Sequence, residues 1–188
     1  GSGLVGSEMC IRDSICTSFR TLANSKVTLA FDSTVPSLQM SFDADKVGKI
    51  VNNLLSNAYK FTPDGGFITV SLSVALRQRV GDKDSDMLRI SVSDTGKGIS
   101  DKEKEHVFER FYQVNGTEMQ PQGGSGIGLN LVKKFAELHG GKVDVTDNPS
   151  GGTIFMVDLP IESSTTSNST AHLGSCLLYT SPSPRDRS

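Results

Sequence analysis

The chain has 188 residues, a formal net charge of −2 and 36% hydrophobic residues, which is enough for one domain with a hydrophobic core. Because its charges are spread along the chain without a basic block, nucleic acid and anionic membranes are not expected partners. No apolar run approaches the roughly 18 residues that a membrane span needs. The three cysteines do not have the spacing of a metal site.

Both ends of the chain resemble a translated sequencing adaptor. Codons for residues 4–14 and for residues 176–186 can be chosen so that one DNA strand is the reverse complement of the other. We therefore set aside residues 1–14 as an artefactual leader and residues 176–188 as an artefactual tail. This division leaves residues 15–162 as a domain and the Ser/Thr-rich residues 163–175 as a linker. Cys16 is then the one native thiol, and we expect the natural protein to continue beyond both ends.

The first part of the domain predicts short strands around one long helix. Residues 15–24 favour a short helix, and residues 27–31 and 38–42 favour strands. Asp43 is a suitable N-cap for a helix that runs to Phe61 and is stopped by Pro63. Its core-facing stripe consists of Val47, Ile50, Val51, Leu54, Leu55 and Ala58.

A second row of residues on this helix is polar. The spacing of Asn53, Asn57 and Lys60 places them on one side of the helix. Amide oxygens suit a hard cation and an ammonium suits phosphate oxygens, so the row fits a magnesium–nucleotide site. A solvated helix face is the alternative for this helix taken alone.

Two alternating segments, residues 68–74 and 88–94, predict a hairpin with its loop over residues 77–86. Leu88, Ile90 and Val92 share the core face of the second strand, and Asp94 falls on the same face. A carboxylate aimed at a core is costly unless it is paired. Either the strand ends at Ser93 and Asp94 begins a turn, or Asp94 accepts a hydrogen bond from a buried ligand.

A long segment of little regular structure follows, with a short charged helix near residues 101–107. Glycines stand at both ends of this segment, Gly96 and Gly98 first, then Gly123 and Gly124. A segment of this length in a compact domain is usually functional or mobile, so the pattern fits a lid with glycine hinges. A disordered surface loop is the alternative.

A glycine-rich run, residues 124–129, leads into an amphipathic helix that ends near Leu138, with Gly140 in the C-cap position. Glycines at a helix start let backbone N–H groups approach an anion. The spacing is neither that of a dinucleotide fold nor that of a P-loop. Strands over residues 142–145 and 153–159 complete the domain.

The order and spacing of these motifs resemble the catalytic ATP-binding domain of bacterial sensor histidine kinases. This domain belongs to a superfamily that includes DNA gyrase, the mismatch-repair ATPase and the heat-shock chaperone ATPase. The resemblance covers about residues 19–159. The matching motifs are an N box at residues 53–62, glycine boxes at 94–99, 124–129 and 151–153, and an F box at 108–111. The implied fold is α+β, a two-layer α/β sandwich with a mixed sheet of about five strands and three helices on one face.

The resemblance also implies roles for the matching residues. Asn57, assisted by Asn53, would ligate Mg²⁺ at the phosphates, and Lys60 would contact phosphate, so these three form the implied catalytic set. Asp94 would accept a hydrogen bond from the adenine amino group. The other residues implied in ATP binding are Phe61, Gly96, Gly98, Ile99, Phe108, Arg110, Gly124, Ser125, Gly126, Ile127, Gly128, Leu129 and Thr153. For Phe108 and Phe111, packing of the lid is favoured over contact with the nucleotide.

The implied activity is transfer of the ATP γ-phosphate to a histidine. The hydrolytic members of the superfamily place a glutamate four residues before the magnesium asparagine, whereas here that position holds Asn53, which cannot act as a general base. Slow ATP hydrolysis is therefore expected. None of His106, His139 and His172 is followed by an acidic residue, as the family's acceptor histidine is, so the acceptor is expected on a partner domain.

The expected partners are a dimerisation and histidine-phosphoacceptor domain upstream and a response-regulator receiver domain downstream. A homodimeric parent is expected, and no contact of this fragment with nucleic acid or membrane. The fragment would be cytoplasmic whether or not the parent is anchored in a membrane. Two alternatives remain, a hydrolytic or serine-directed member of the superfamily and a signalling scaffold that binds no nucleotide.

Overall fold

The computed structural model describes residues 26–34, 44–80, 83–110, 112 and 128–161. The elements in chain order are β1 (Thr28–Ser33), α1 (Ala44–Phe61), β2 (Phe67–Val80), β3 (Lys83–Asp94), α2 (Asp101–Lys104), α3 (Gly128–Leu138), β4 (Lys142–Asp147) and β5 (Thr153–Pro160). The predicted helix over 15–24, the strand over 38–42, the N-cap Asp43, the linker and both adaptor-like ends lie outside the described residues.

The described strands form one mixed sheet in the order β1-β2-β3-β5-β4. β1 pairs in parallel with β2, and α1 is the crossover that a parallel connection requires. The other three pairings are antiparallel. The predicted mixed sheet of five strands is therefore confirmed.

The core lies between the sheet and the two longer helices, α1 and α3. Side chains from alternate positions of β2, β3 and β5 are buried there, among them Ile68, Val70, Ile90, Val92, Phe155 and Val157. Leu54 and Leu55 of α1 and Val132 and Ala136 of α3 cover them. Ser71 and Ser91, on the other face of the sheet, are only partly buried. In the described part of the chain, α1 and α3 thus lie on one face of the sheet, as the two-layer sandwich implied by the resemblance requires.

The hairpin between β2 and β3 is longer than the sequence predicts. The loop predicted over residues 77–86 is wrong, because β2 runs to Val80 and β3 begins at Lys83. After a register shift between Ala75 and Gln78, Gln78 pairs with Ser85 and Val80 with Lys83. The sequence here is polar and lacks the apolar alternation that identifies a half-buried strand. Backbone pairing between the two strands makes these residues extended.

Local sequence motifs mark the start of α2 and the end of α3. Ser100 caps α2 in a capping box with Glu103, and this helix ends at Lys104 rather than at the predicted residue 107. Gly140 has a φ of 74° just after α3, which confirms it as a terminating glycine. None of the helices in the described part of the chain is long and apolar enough to cross a membrane.

Candidate functional site

A cleft lies where the C-terminal end of α1 meets the end of β3 and the start of β5. The space between its walls is about 270 Å³, including the part that is open to solvent. The residues that line it are Asn57, Phe61, Asp94, Lys97, Gly98, Ile99, Thr153 and Phe155. Six of these eight are residues that the sequence analysis assigns to the site; Lys97 and Phe155 are the other two. The fold thus brings the N box, the first glycine box and the last glycine box into one cleft.

Asp94 is a buried carboxylate at the wall of this cleft. It is the last residue of β3, and 4% of it is exposed. Its Oδ1 accepts hydrogen bonds from the backbone N–H groups of Gly96 at 2.9 Å and Thr153 at 3.3 Å. Burial raises the pKa of this carboxyl, and the two hydrogen bonds oppose the rise.

The second carboxylate oxygen of Asp94 is the one available to a ligand. Both hydrogen bonds that the described residues donate to this side chain go to Oδ1. Oδ2 is therefore left to accept from a donor in the cleft, as an exocyclic amino group would provide. The side chain thus offers one acceptor oxygen of a buried carboxylate to a hydrogen-bond donor in the cleft.

Gly96 and Gly98 allow the backbone to pack closely beside Asp94. A Cβ at Gly96 would lie 2.5 Å from the carbonyl oxygen of Phe61, closer than any real contact of this kind. Gly98 has a φ of 77°, which only glycine adopts without strain. Close packing therefore requires Gly96, and the positive φ favours glycine at position 98.

Residues 99–110 form the first part of the segment that the sequence predicts to be a lid, and we call them the proximal lid segment. They are packed onto the body of the domain. Val107 is 3% exposed, and the rings of Phe108 and Phe155 pack perpendicular to each other with their centroids 6.0 Å apart. The side-chain amide of Asn130 donates to the carbonyl oxygen of Phe108 at 3.0 Å. Lys104 Nζ lies 2.8 Å from Asp147 Oδ1 at the end of β4. These contacts hold residues 99–110 against the sheet and α3, and a pivot at Gly96 and Gly98 stays a prediction.

The polar row of α1 faces both the cleft and the start of α3. Asn57 lines the cleft. Asn53 lies one turn earlier, and a Cβ at Gly128, the first residue of α3, would be 3.4 Å from Asn53 Oδ1. Asn53 of the N box therefore lies beside Gly128 of the second glycine box.

Two ammonium groups flank the ring of Phe61 at the cleft. Lys60 Nζ is 5.3 Å and Lys97 Nζ 5.6 Å from the ring centroid, both within cation–π range. The cleft thus has positive charge beside its apolar wall, as a phosphate-bearing ligand requires.

The remaining predicted residues fall into three groups. Gly124, Ser125, Gly126, Ile127 and Phe111 lie outside the described residues. Leu129 and Phe108 are partly buried against the core. Arg110 is exposed and is not among the described residues that line the cleft.

The two described histidines have local partners. His106 Nδ1 lies 2.8 Å from Glu109 Oε1, and His139 Nδ1 lies 2.9 Å from the carbonyl oxygen of Phe135. Neither lines the cleft. His172 lies outside the described residues.

Sequence reasoning missed three residues at this site. Lys97 lies between the two glycines of the first glycine box, so its position was a usable signal. Phe155 continues the apolar alternation of β5 and looks like any core residue. The side-chain amide of Asn148 donates to the backbone oxygen of Asp94 at 2.8 Å. A polar residue before a glycine turn gives no sequence signal for that contact.

The residues present fit Mg²⁺ bound through few protein ligands. Among the described residues there is no group of three or more His, Cys, Asp or Glu side chains that could hold a metal ion. Asn57 and Asn53 offer amide oxygens, which suit a hard cation that keeps waters and phosphate oxygens in its coordination shell.

Comparison with known proteins gives concordant matches. The family described as histidine kinase-, DNA gyrase B- and HSP90-like ATPase matches residues 42–163. Sensor histidine kinase TmoS of Ectopseudomonas mendocina is 40% identical over 147 residues, covering 78% of this chain and 14% of that protein. Hybrid signal transduction histidine kinase D of Dictyostelium discoideum is 41% identical over 149 residues, covering 78% of this chain and 9% of that protein.

A solved structure of the mycobacterial sensor histidine kinase MprB superimposes with a TM-score of 0.63 at 29% identity. The match covers 82% of this chain and 96% of that chain. The chain therefore spans a small part of the curated relatives it matches and nearly all of this solved domain.

Proposed function

The chain belongs to the family of histidine kinase-, DNA gyrase B- and HSP90-like ATPases and is the catalytic ATP-binding domain of a sensor histidine kinase; from that premise we propose that it holds ATP with Mg²⁺ in the described cleft and donates the γ-phosphate to a histidine of a dimerisation domain. The observation that carries this proposal is Asp94, a 4% exposed carboxylate whose Oδ2 is left for a donor in the cleft.

Each part of the cleft would contribute one interaction with the nucleotide. Asp94 would accept from the adenine amino group, and Phe61 would lie against the nucleotide. Lys60, with Lys97 beside it, would compensate phosphate charge. Mg²⁺ held by Asn57 and Asn53 would neutralise charge on the phosphates.

Phosphoryl transfer suits such a site because the reaction depends mainly on positioning and charge neutralisation. Asn53 has no proton-accepting group, so water is not activated there and hydrolysis is expected to be slow. The domain would therefore keep the γ-phosphate for an acceptor side chain. We propose that the acceptor lies on a dimerisation domain of a homodimeric parent, that a receiver domain takes the phosphate next, and that the reaction is cytoplasmic.

Nucleotide binding is tested by titrating the 188-residue chain with a fluorescent ATP analogue, with and without Mg²⁺. We expect saturable binding that Asp94→Asn weakens by about 10- to 100-fold, since hydrogen bonds to charged groups contribute roughly 1.5–3 kcal/mol. Asp144→Asn is the matched control, because Asp144 is an exposed residue of β4 whose local backbone contact an asparagine can keep. Equal affinity of wild type and Asp94→Asn would overturn the assignment of the adenine site.

Phosphotransfer is tested by adding a sensor-kinase dimerisation domain in trans with labelled ATP. We expect acid-labile phosphate on that domain, lost when its acceptor histidine is replaced by glutamine. Rapid release of inorganic phosphate without a labelled partner would instead support a hydrolytic member of the superfamily.

A further inference from the structure

The turn between β4 and β5, residues 148–152, wraps around the backbone of Asp94. The Asn148 side-chain amide donates to the Asp94 carbonyl oxygen at 2.8 Å. Gly152 has a φ of 98°, and a Cβ there would lie 2.8 Å from Asp94 Oδ1 and would collide with the Asp94 carbonyl oxygen. The turn and the carboxylate are therefore packed against each other.

The hydrogen bond from Asn148 replaces a backbone hydrogen bond at the end of the β3–β5 ladder. The pairing between β3 and β5 ends at Ser93 and Ile154. One residue further along, the N–H of Thr153 donates to the Asp94 carboxylate at 3.3 Å. The main-chain oxygen of Asp94 receives its hydrogen bond from Asn148 instead. The Asp94 carbonyl oxygen and the Thr153 N–H, which would bond to each other in a continued ladder, thus have different partners. The Thr153 N–H is directed to the Asp94 side chain.

The turn itself is also held by Asn148, through a separate atom. Asn148 Oδ1 accepts from the Ser150 N–H at 3.1 Å, and the Asn148 N–H donates to the Gly152 carbonyl oxygen at 3.0 Å. The donor that reaches Asp94 and the acceptor that shapes the turn are therefore different groups of one side chain. A substitution can remove one and keep the other.

We propose that Asn148 is a positioning residue for adenine recognition, which fixes the Asp94 carboxylate by holding the Asp94 carbonyl oxygen towards the turn. Without this donor, the Thr153 N–H is free to move to the carbonyl oxygen in ordinary antiparallel pairing. The carboxylate then loses one of its two hydrogen bonds and its orientation in the cleft. This inference rests on the proposed function, because it concerns selectivity for the adenine amino group.

The test compares ATP with inosine triphosphate, which carries an oxygen where adenine carries its amino group. Each nucleotide is used to displace the fluorescent ATP analogue from the wild-type chain, from the single variants Asn148→Asp, Asn148→Ala and Asp94→Asn, and from the double variant Asp94→Asn with Asn148→Asp. Asn148→Asp keeps the acceptor for Ser150 and removes the donor to Asp94, whereas Asn148→Ala removes both. We expect each Asn148 variant to reduce the preference for ATP about three- to tenfold, the range for one neutral hydrogen bond.

Three outcomes separate the explanations. If both ligands weaken equally, or if only Asn148→Ala has an effect, Asn148 shapes the turn and the proposal is wrong. If Asn148→Asp lowers the preference for ATP when it is made alone, but not when it is combined with Asp94→Asn, the effect passes through Asp94 as proposed. If the wild-type chain has no preference for ATP that depends on Asp94, the proposed nucleotide site fails first, and the inference fails with it. Thermal melts identify a variant that has lost its fold.

Discussion

Burial of the ionised Asp94 carboxylate lowers the stability of the folded chain when no ligand is bound. Its carboxylate is 4% exposed, and desolvation raises its pKa despite the two backbone hydrogen bonds. The ionised form is therefore less favourable in the folded state than in the unfolded state. Functional residues often carry such a cost, because the same burial strengthens their interaction with a ligand.

This cost predicts a pH dependence of stability. Because the folded-state pKa of Asp94 is raised, the stability contribution of the neutral carboxyl is present below the unfolded pKa and is lost as pH rises through the folded pKa. Asp94→Asn should therefore melt higher than the wild type at pH 7, by roughly 2–4 °C for each 1 kcal/mol gained. The difference should shrink as pH falls. Thermal melts without nucleotide check this, and a variant that is less stable throughout would contradict it.

At the scale of elements, the proximal lid segment is fixed to the body of the domain by a lysine shared between two carboxylates. Lys104 Nζ lies 2.8 Å from Asp101 within α2 and 2.8 Å from Asp147 on β4. These partners raise the pKa of Lys104, and the pKa of Asp101 is lowered. Of these two contacts, the one with Asp147 joins the lid segment to the sheet, and the one with Asp101 stays within α2.

Asp147→Asn should loosen the proximal lid segment, whereas Asp101→Asn should not. The first change weakens the link between α2 and β4, and the second weakens a contact within one helix turn. Hydrogen exchange of residues 104–110 is the measurement, and we expect faster exchange in Asp147→Asn alone. Equal exchange in both variants would mean that Val107 and Phe108 dock this segment without the ion pair.

On the face of the sheet that points away from α1 and α3, an ion pair joins β3 and β5, and its two partners differ in burial. Arg89 donates two hydrogen bonds of 2.7 Å to Asp158, whose side chain is 3% exposed against 35% for Arg89. Lys142 of β4 is 4.0 Å away on the other side. The carboxylate is thus the buried partner, and the guanidinium can reach solvent.

Replacing Arg89 should therefore lower the free energy of unfolding more than replacing Asp158. Arg89→Met leaves a buried charge and should lower the free energy of unfolding by about 3 kcal/mol. Asp158→Asn should lower it by about 1 kcal/mol, the value of an ordinary hydrogen bond, because Arg89 can turn to water. Urea unfolding of both variants tests this. The reverse order would mean that Lys142 compensates Asp158 once Arg89 is gone.

At the scale of the whole molecule, ligand binding should stabilise the fold in a manner that depends on magnesium. At a free ligand concentration 100 times its dissociation constant, binding adds about 2.7 kcal/mol. We expect ATP with Mg²⁺ to raise the melting temperature and a chelator to remove most of the rise. Asn57→Ala should lose this magnesium-dependent part. Asn52→Ala, an exposed neighbour on α1, should keep it. Loss in both variants would point to damage to the helix.

The sequence predicted what local periodicity and local motifs encode. The apolar stripes identified α1, α3 and the main part of β2 and β3, and the boxes identified Asn57, Asp94 and Thr153. It did not identify Phe155 or Asn148 as site residues, because their role depends on β5 lying next to β3. Strand order is a non-local property, and neither residue differs locally from an ordinary core or turn residue.

The β2–β3 hairpin extends past its neighbours in the described sheet. β1 pairs with β2 no further than Leu72, and β5 pairs with β3 no further than Met87, whereas the hairpin pairs to Val80 and Lys83. A two-stranded ribbon without a third strand is only marginally stable by itself. It also lies at the opposite end of β3 from Asp94. The hairpin tip is therefore a place to insert a peptide tag or a fluorescent reporter without disturbing the nucleotide site.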